Sequence, residues 1–228
     1  SHSEWIHKYT DCYLVGSNDI REKLAAKGVE RESICVTGIP VRCEFKRPVV
    51  RRPGRTRQLL IMGGGLGLLP RKDSFYEALD ALPGVHTTII TGNNRKLYDR
   101  LAGRYPHIQV LGFTDRVYDY MARAELGRTK PGGITLFETI FSELPILAWE
   151  PFLEQEKLNA RFLVKRGLGR VAAKEPEECL EAIRALIYDD AALESMRANM
   201  RHMKGQLESE SLARILAGLR EEKGVGVA

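Results

Sequence analysis

The sequence predicts an α/β fold, a Rossmann-like parallel sheet with helices on both faces. Short apolar segments that suit buried strands alternate with longer segments that suit helices. Two glycine clusters, Gly63-Gly64-Gly65-Leu66-Gly67 and Gly132-Gly133, stand at a strand end and at a helix start. Because ligands of such sheets bind beyond the carboxyl ends of the strands, we expect both clusters on one ligand-binding rim.

The elements follow from the apolar pattern and the turn residues. Near the start, the pattern predicts a strand over 12–17, a helix over 18–27 that Asn18 caps and Gly28 ends, and a strand over 34–37. Later strands are predicted at 59–62, 85–91, 108–111 and 145–149. Helices are predicted at 72–82, 95–104, 117–124, 133–142 and 155–166.

The C-terminal tail is predicted to be helical. Pro176 suits a first helical turn, and Leu180, Ile183, Leu186 and Ile187 follow on one face. A second apolar stripe is formed by Leu212, Ile215, Leu216 and Leu219. We interpret this second stripe as core packing in preference to a membrane helix.

Bulk composition is that of an ordinary soluble globular protein, with 43% hydrophobic and 29% charged residues. The longest apolar run, 59–69, is broken by glycine and falls short of the ~20 residues that a membrane span needs. The first residues lack the charged start and apolar core of a signal peptide. Four cysteines without CxxC spacing argue against a zinc site and suit a reducing, cytoplasmic compartment.

Much of the net charge of +5 lies in one basic segment, residues 46–57, which contains no acidic residue. One interpretation is a solvated interdomain linker. The other is a surface for an anionic partner such as an acidic membrane, to which each basic residue adds about 1 kcal/mol. No aromatic residue is interleaved to stack bases, so we expect no nucleic-acid partner.

The segment from Thr129 to Glu138 predicts an anion site at a helix start. Free amides at a helix N-terminus attract a phosphate, and Gly132 and Gly133 let the ligand approach the backbone. Glu138, six residues past Gly132, is suited to grip a ribose diol. The alternative is a capping box formed by Thr135 and Glu138, in which Glu138 has a purely structural role.

Four patches in series match one known family. They are Thr37-Gly38-Ile39-Pro40-Val41, Ile61 to Gly67, Lys130 to Glu138 followed by Leu144-Pro145, and Pro151 to Ala160 followed by Gly167-x-Gly169. Together they resemble the C-terminal half of a glycosyltransferase of the GT-B fold. The branch is that of monogalactosyldiacylglycerol synthases and processive diacylglycerol glucosyltransferases, which are related to MurG-like enzymes.

The resemblance implies a UDP-sugar donor. Gly132 and Gly133 would face its diphosphate, and Glu138 would accept hydrogen bonds from both ribose hydroxyls. Gln155 and Glu156 would bind the hydroxyls of the donor sugar, or else only favour the dipole of their own helix. The remaining donor-binding candidates are Gly64, Gly65, Gly67, Phe113, Lys130, Thr135 and Asn159.

Several of these candidates have a plainer interpretation. The three glycines could line the diphosphate or face the acceptor, or form an ordinary strand-to-helix turn. Phe113 could lie near the uracil ring or in the core. Lys130 could offset diphosphate charge or be a solvated loop lysine. No Asp-x-Asp pair is present to clamp a metal on the diphosphate, so we expect neither a fixed metal nor a cofactor.

The first residues resemble the segment that closes the acceptor-side domain of the family. We therefore expect residues 1–45 to be the end of that domain, 46–57 a linker, and 58–228 the UDP-sugar-binding domain. The rest of the acceptor domain, in cis or in trans, would supply the general base, and His2 is only a weak catalytic candidate. The chain itself would be a fragment or one half of a split enzyme.

The leading hypothesis is the donor-binding domain of an inverting glycosyltransferase that moves a sugar to a lipid acceptor such as diacylglycerol, peripherally at the inner face of the membrane. Alternatives are the donor subunit of a two-chain enzyme and a UDP-sugar epimerase of the same fold. Two departures from the family pattern bear on the site. Gly127 and Arg128 replace apolar residues of a central strand, and Leu153-Glu154 replaces a glycine-containing approach to Gln155.

Overall fold

The structure is a computed structural model that describes residues 6–49, 56–64, 69–151, 153–173 and 175–209. The described residues form two compact units. One holds the residues up to Pro40 and those from His202 onward, and the other holds Val41–Arg201. The predictions for His2, Gly65, Gly67, residues 50–55 of the basic segment and the stripe over 212–219 lie outside the described residues.

The first unit contains two short parallel strands and a helix. Strand β1 (Tyr13–Val15) pairs with β2 (Ile34–Val36), and α1 (Asn18–Ala25) connects them. Val15, Leu24, Ile34 and Val36 form its core. Asn18 does not cap α1, because Ser17 takes the N-cap position and Asn18 is the first helical residue. Gly28 follows with φ +91°, a conformation that glycine adopts without strain.

The second unit is a six-stranded parallel sheet in the order β5-β4-β3-β6-β7-β8. Its strands are β3 (Arg57–Met62), β4 (Val85–Ile90), β5 (Ile108–Leu111), β6 (Leu126–Thr129), β7 (Ile146–Trp149) and β8 (Gly169–Ala172). Its helices are α2 (Asp73–Asp80), α3 (Arg95–Leu101), α4 (Val117–Arg123), α5 (Gly133–Phe141), α6 (Glu154–Lys165) and α7 (Pro176–Ile187). Helix α8 (Asp190–Ser209) begins in this unit. The Rossmann-like α/β prediction is confirmed.

One face of the sheet packs against α2 and α7. Its core joins apolar residues of β3, β4 and both helices, including Leu59, Ile61, Ile89, Tyr76, Leu79, Ile183 and Leu186. At about 25 cal/mol per Å² of buried apolar surface, such burial supplies the main favourable term for folding. In the described part of the chain, no helix is both long enough and apolar enough to cross a membrane.

Strand β6 forms at the centre of the sheet despite its glycine and arginine. It pairs with β3 on one side and β7 on the other, and all four of its residues are buried. A Cβ on Gly127 would lie 2.9 Å from Leu144 Cδ2, so the missing side chain makes room for Leu144. The departure from the apolar family pattern therefore leaves the strand in place.

Candidate functional site

The direction in which successive strands are added to the sheet reverses between β3 and β6. Strands β4 and β5 extend the sheet on one side of β3, whereas β7 and β8 extend it beyond β6. A crevice opens outside the carboxyl ends of the strands at such a switch point. Gly64 and Gly132 follow these two neighbouring strands, so the topology places them at the same edge of the sheet, as predicted. Gly64 follows β3 with φ +68° and has open space at its Cβ position.

Helix α5 presents an open N-terminus to this crevice. Its N-cap is Gly132, no side chain caps it, and its first turn contains no acidic residue. Gly132 has φ −71°, and an added Cβ would meet nothing closer than Thr135 Oγ1 at 3.8 Å. The backbone therefore does not require glycine here, and the glycine leaves the helix start uncovered. The amides of the first turn have no hydrogen-bond acceptor among the residues that the structure describes, and such amides attract an anion.

Glu138 lies in the second turn of α5, where it cannot cap the helix. The capping-box interpretation is wrong, because the N-cap is Gly132 and makes no side-chain cap bond. The Glu138 side chain is half-buried and, within the described ranges, accepts no hydrogen bond. Burial raises the pKa of its carboxyl group, and the nearby Arg42 guanidinium partly opposes this shift. Glu138 is thus an acceptor that is left open for donors from a ligand.

Sequence analysis missed Arg42 as a site residue. Its Nη2 donates to Asp115 O at 2.9 Å, and its guanidinium lies 5.4 Å from the Phe45 ring centroid and 5.9 Å from that of Tyr118. These contacts hold a positive charge close enough to act on Glu138. The signal was its position directly after the patch that ends at Val41, but only tertiary contacts bring it to α5.

Phe113 is exposed, so its interpretation as a core residue is wrong. Its side chain is 77% exposed and lines a cavity of about 360 Å³ beyond the carboxyl ends of β4 and β5. The other lining residues are Gly92, Asn93, Arg95, Tyr98 and Gly112. A flat ring, two glycines and polar side chains suit a planar heterocycle with hydrogen-bonding edges.

The start of α6 is tied to the loop that leads into α5. Asn159 Nδ2 donates to Pro131 O at 2.9 Å, and Lys130 Nζ lies 4.0 Å from Glu156 Oε1. Lys130 therefore has a carboxylate neighbour in the first turn of α6. Gln155 is exposed in the first turn of α6, beside the half-buried Glu156. The fold thus brings the predicted diphosphate and sugar segments together.

No group of three or more metal-ligating side chains occurs among the residues that the structure describes. The expectation of a metal-independent site stays a prediction. An open helix start, a carboxylate in its second turn and a cavity at the next strand ends are features that suit a nucleotide ligand.

Comparisons with known proteins identify the particular family. The model of the monogalactosyldiacylglycerol (MGDG) synthase family matches residues 1–41. A processive diacylglycerol beta-glucosyltransferase of Bacillus licheniformis is 31% identical over 222 residues, 92% of this chain and 57% of that protein. The Bacillus subtilis (strain 168) enzyme of the same name is 31% identical over 215 residues, 89% of this chain and 56% of that protein. The chain therefore spans little more than half the length of these curated relatives.

Solved structures support the fold. The calicheamicin glycosyltransferase CalG4 superposes with a TM-score of 0.67 at 19% identity, covering 94% of this chain and 54% of that protein. A UDP-N-acetylglucosamine 2-epimerase gives a TM-score of 0.64 at 16% identity, covering 96% and 59%. The predicted resemblance is confirmed: the chain is a relative of the processive diacylglycerol glucosyltransferases, and its fold is that of one half of a GT-B glycosyltransferase.

Proposed function

We propose that this chain is the donor-binding domain of an inverting glycosyltransferase that moves a sugar from a UDP-sugar to a lipid acceptor such as diacylglycerol. The names of the relatives support the class of reaction and acceptor. The observation that carries the proposal is Glu138, a half-buried carboxylate with a raised pKa and no hydrogen-bond donor among the described residues. It lies in the second turn behind an open helix start, where a ribose would follow a bound diphosphate.

The nucleotide is proposed to occupy three segments of the rim. Its uracil enters the cavity beside Phe113, and its ribose hydroxyls donate to the Glu138 carboxylate. Its diphosphate meets the amides that follow Gly132. Gln155 and Glu156 then face the sugar from the start of α6. Charged hydrogen bonds of this kind contribute about 1.5–3 kcal/mol each.

The chemistry follows from the charge that develops during transfer. The acceptor oxygen attacks the anomeric carbon while the bond to the diphosphate oxygen breaks, so the configuration inverts and UDP departs. Negative charge grows on the leaving diphosphate. The amides and dipole of α5 stabilise it without reorganisation. Lys130, two residues before Gly132, and Arg42, which acts on Glu138, add positive charge to the site.

Activation of the acceptor is proposed to depend on an acceptor-side domain, joined in cis or supplied in trans. Support comes from the length of the relatives, of which this chain matches 57%. Purified chain mixed with UDP-glucose or UDP-galactose and diacylglycerol vesicles should give no glycolipid. Turnover by this chain alone would overturn that part of the proposal. Isomerisation of UDP-N-acetylglucosamine by the enzyme joined to its acceptor domain would favour the epimerase alternative.

Membrane attraction through the basic segment is a separate part of the proposal. Of its cations, Lys46 lies 5.7 Å from the Phe141 ring centroid, Arg47 lies 5.3 Å from that of Tyr118, and Arg57 pairs with Asp190 at 2.6 Å. The remaining cations of the segment are Arg51, Arg52 and Arg55, and we propose that they contribute to the attraction. Their replacement by glutamine should release the chain from anionic vesicles in a sedimentation assay. Retention at unchanged strength would contradict this assignment.

Donor binding is tested by calorimetry with UDP, UMP and CDP on the purified chain. We expect UDP to bind best, because UMP lacks one phosphate for α5 and CDP changes the hydrogen-bonding edge of the base. Saturating UDP should also raise the melting temperature through linkage. A chain that binds all three equally, or none at millimolar concentration, would overturn the proposed function.

A further inference from the structure

Arg128 is a fully buried arginine at the centre of the parallel sheet. It lies in β6 between Ile61 of β3 and Leu147 of β7, and its side chain has 0% exposure. Side chains alternate along a strand, so Arg128 shares a face with Leu126, which belongs to the main core. Burying a guanidinium there is costly unless its donors are used.

The guanidinium has few partners for its five donors. Nη1 donates to Leu147 O at 3.0 Å, whereas Nε and Nη2 are buried and have no hydrogen-bond partner in the described ranges. The only titratable side chain that acts on it there is the Cys179 thiol of α7. Burial lowers the pKa of Arg128 to about 10, which leaves the group charged at neutral pH. Arg128 therefore does not stabilise the fold well.

Its contacts instead converge on the end of β7. Leu147 lies within β7, and Trp149 is the last residue of that strand. The guanidinium carbon of Arg128 lies 3.6 Å from the centroid of the Trp149 ring. The chain then enters the loop to α6, which begins at Glu154 with Gln155 and Glu156 in its first turn. Arg128 itself lies two residues before Lys130, where the loop to α5 begins.

The start of α6 and the loop to α5 are thus linked by two independent sets of contacts. Asn159 to Pro131 and Lys130 to Glu156 join them beyond the strand ends. Arg128 to Trp149 joins the strand ends from which they emerge. A loop that is fixed at both its origin and its far side keeps its side chains within the small tolerance that ligand recognition needs.

We infer that Arg128 is a positioning residue that, through Trp149, sets the sugar-binding start of α6 relative to the diphosphate-binding start of α5. The inference rests on the proposed function, because it concerns recognition of the donor sugar. Arg128 touches neither ligand; its part is to hold the end of β7 in register. Recognition of UDP alone depends on α5 and the Phe113 cavity and should be independent of this contact.

The test compares the dissociation constants of UDP-glucose and UDP for each variant, with UDP-galactose measured in parallel. In Arg128→Met the ratio of the Kd of UDP-glucose to the Kd of UDP should rise about tenfold, because a small displacement of a positioning group weakens recognition by that factor or more. The Kd of UDP itself should stay unchanged. The melting temperature should hold or rise, because an underused buried charge is replaced by a side chain of suitable volume.

Two further variants separate positioning from packing. Trp149→Leu removes the stacking partner from a half-buried position and should raise the ratio by a similar factor. In the double variant the ratio of the two Kd values should then rise no further than in either single variant, because both substitutions break the same contact. Leu126→Met, on the same face of the same strand, is the matched control and should leave the ratio unchanged.

Each outcome has one meaning. If wild-type chain binds no UDP, the proposed function fails. If it binds UDP but Arg128→Met and Trp149→Leu leave the ratio unchanged, the inference fails while the proposed function stands. If Arg128→Met does not fold, Trp149→Leu decides alone. If Leu126→Met raises the ratio equally, the effect is general packing and the inference is overturned.

Discussion

Helices α5 and α7 both follow strands of the same half of the sheet, yet their N-termini are built in opposite ways. Helix α7 starts with Pro176 and places Glu177 and Glu178 in its first turn. Helix α5 starts after Gly132 and has no acidic residue in its first turn. A helix N-terminus carries about half a positive charge. In α7 the carboxylates of Glu177 and Glu178 lie next to that charge, whereas the first turn of α5 offers it no carboxylate.

The two helices also differ in where they keep a carboxylate. The acids of α7 lie in the first turn, where they favour the dipole, and Glu177 lies 3.8 Å from Lys72 across the surface. The single acid of α5, Glu138, lies in the second turn, half-buried and raised in pKa. A carboxylate in that environment costs stability. The comparison therefore separates a helix start that has its own carboxylates from one that lacks them, as the proposed donor site requires.

The largest effect is expected for Glu138→Gln. Loss of two charged hydrogen bonds to the ribose should weaken UDP binding at least ~100-fold, because two bonds at roughly 1.5–3 kcal/mol each amount to about 3 kcal/mol or more. Pyrophosphate, which has no ribose, should bind the variant and the wild type equally in calorimetry. The melting temperature without ligand should not fall, because the penalty for burying the charge is removed. Unchanged UDP affinity would rule out the ribose assignment.

A charge placed in the first turn of α5 should make it resemble α7. Ile134 is the second residue of α5 and is 61% exposed, so Ile134→Asp leaves the core intact. Repulsion of the diphosphate should cost about 2 kcal/mol, or roughly 30-fold in Kd, and should shrink in high salt. Ile134→Asn, which is nearly isosteric without the charge, is the control. Equal Kd values for the two variants would show that no anion binds there.

The sequence predicted the sheet well because its strands are buried runs between clear turns. Every predicted strand and helix within the described ranges of the second unit is present, with ends shifted by a few residues. Strand β8 was missed, since it lies at the edge of the sheet and its four residues carry no apolar run. A Cβ on Gly169 would lie 2.1 Å from Ile146 O, a constraint that appears only when β7 is in place.

The candidate site could be predicted from the sequence where neighbours in sequence are neighbours in space, and the roles of its residues stay predictions. Gly132 and Glu138 share one helix, so their spacing carried the assignment. Arg42 and Trp149 reach their partners only through tertiary packing, and no local pattern marks them. The same holds for Arg128: sequence analysis recognised it as an anomaly of β6, but its stacking on Trp149 depends on the strand order of the sheet.

A smaller effect is expected from pH. Burial holds the pKa of Glu138 above its usual range, so lowering the pH protonates it before ordinary surface carboxylates. UDP affinity should fall several-fold as the pH drops through that raised pKa, because the neutral acid is a weaker acceptor. Protonation favours the folded state at this position, so Glu138 contributes no acid destabilisation of the free chain. The same calorimetry on Glu138→Gln gives the part of the pH dependence that comes from the phosphates of UDP. If UDP affinity depends on pH identically in the wild type and in this variant, the assignment of Glu138 is wrong.

The smallest effect is expected at α7, where the acids serve only the fold. Replacing Glu177 and Glu178 by glutamine should lower the free energy of unfolding by about 0.3–1 kcal/mol per residue, because their interaction with the helix dipole is lost. Both side chains are exposed, so salt should reduce the difference in a urea titration. UDP affinity should not change, because no step of the proposed binding uses α7. A change in UDP affinity as large as that of Ile134→Asp would mean that the two helix starts act on one ligand, and the distinction between them would be lost.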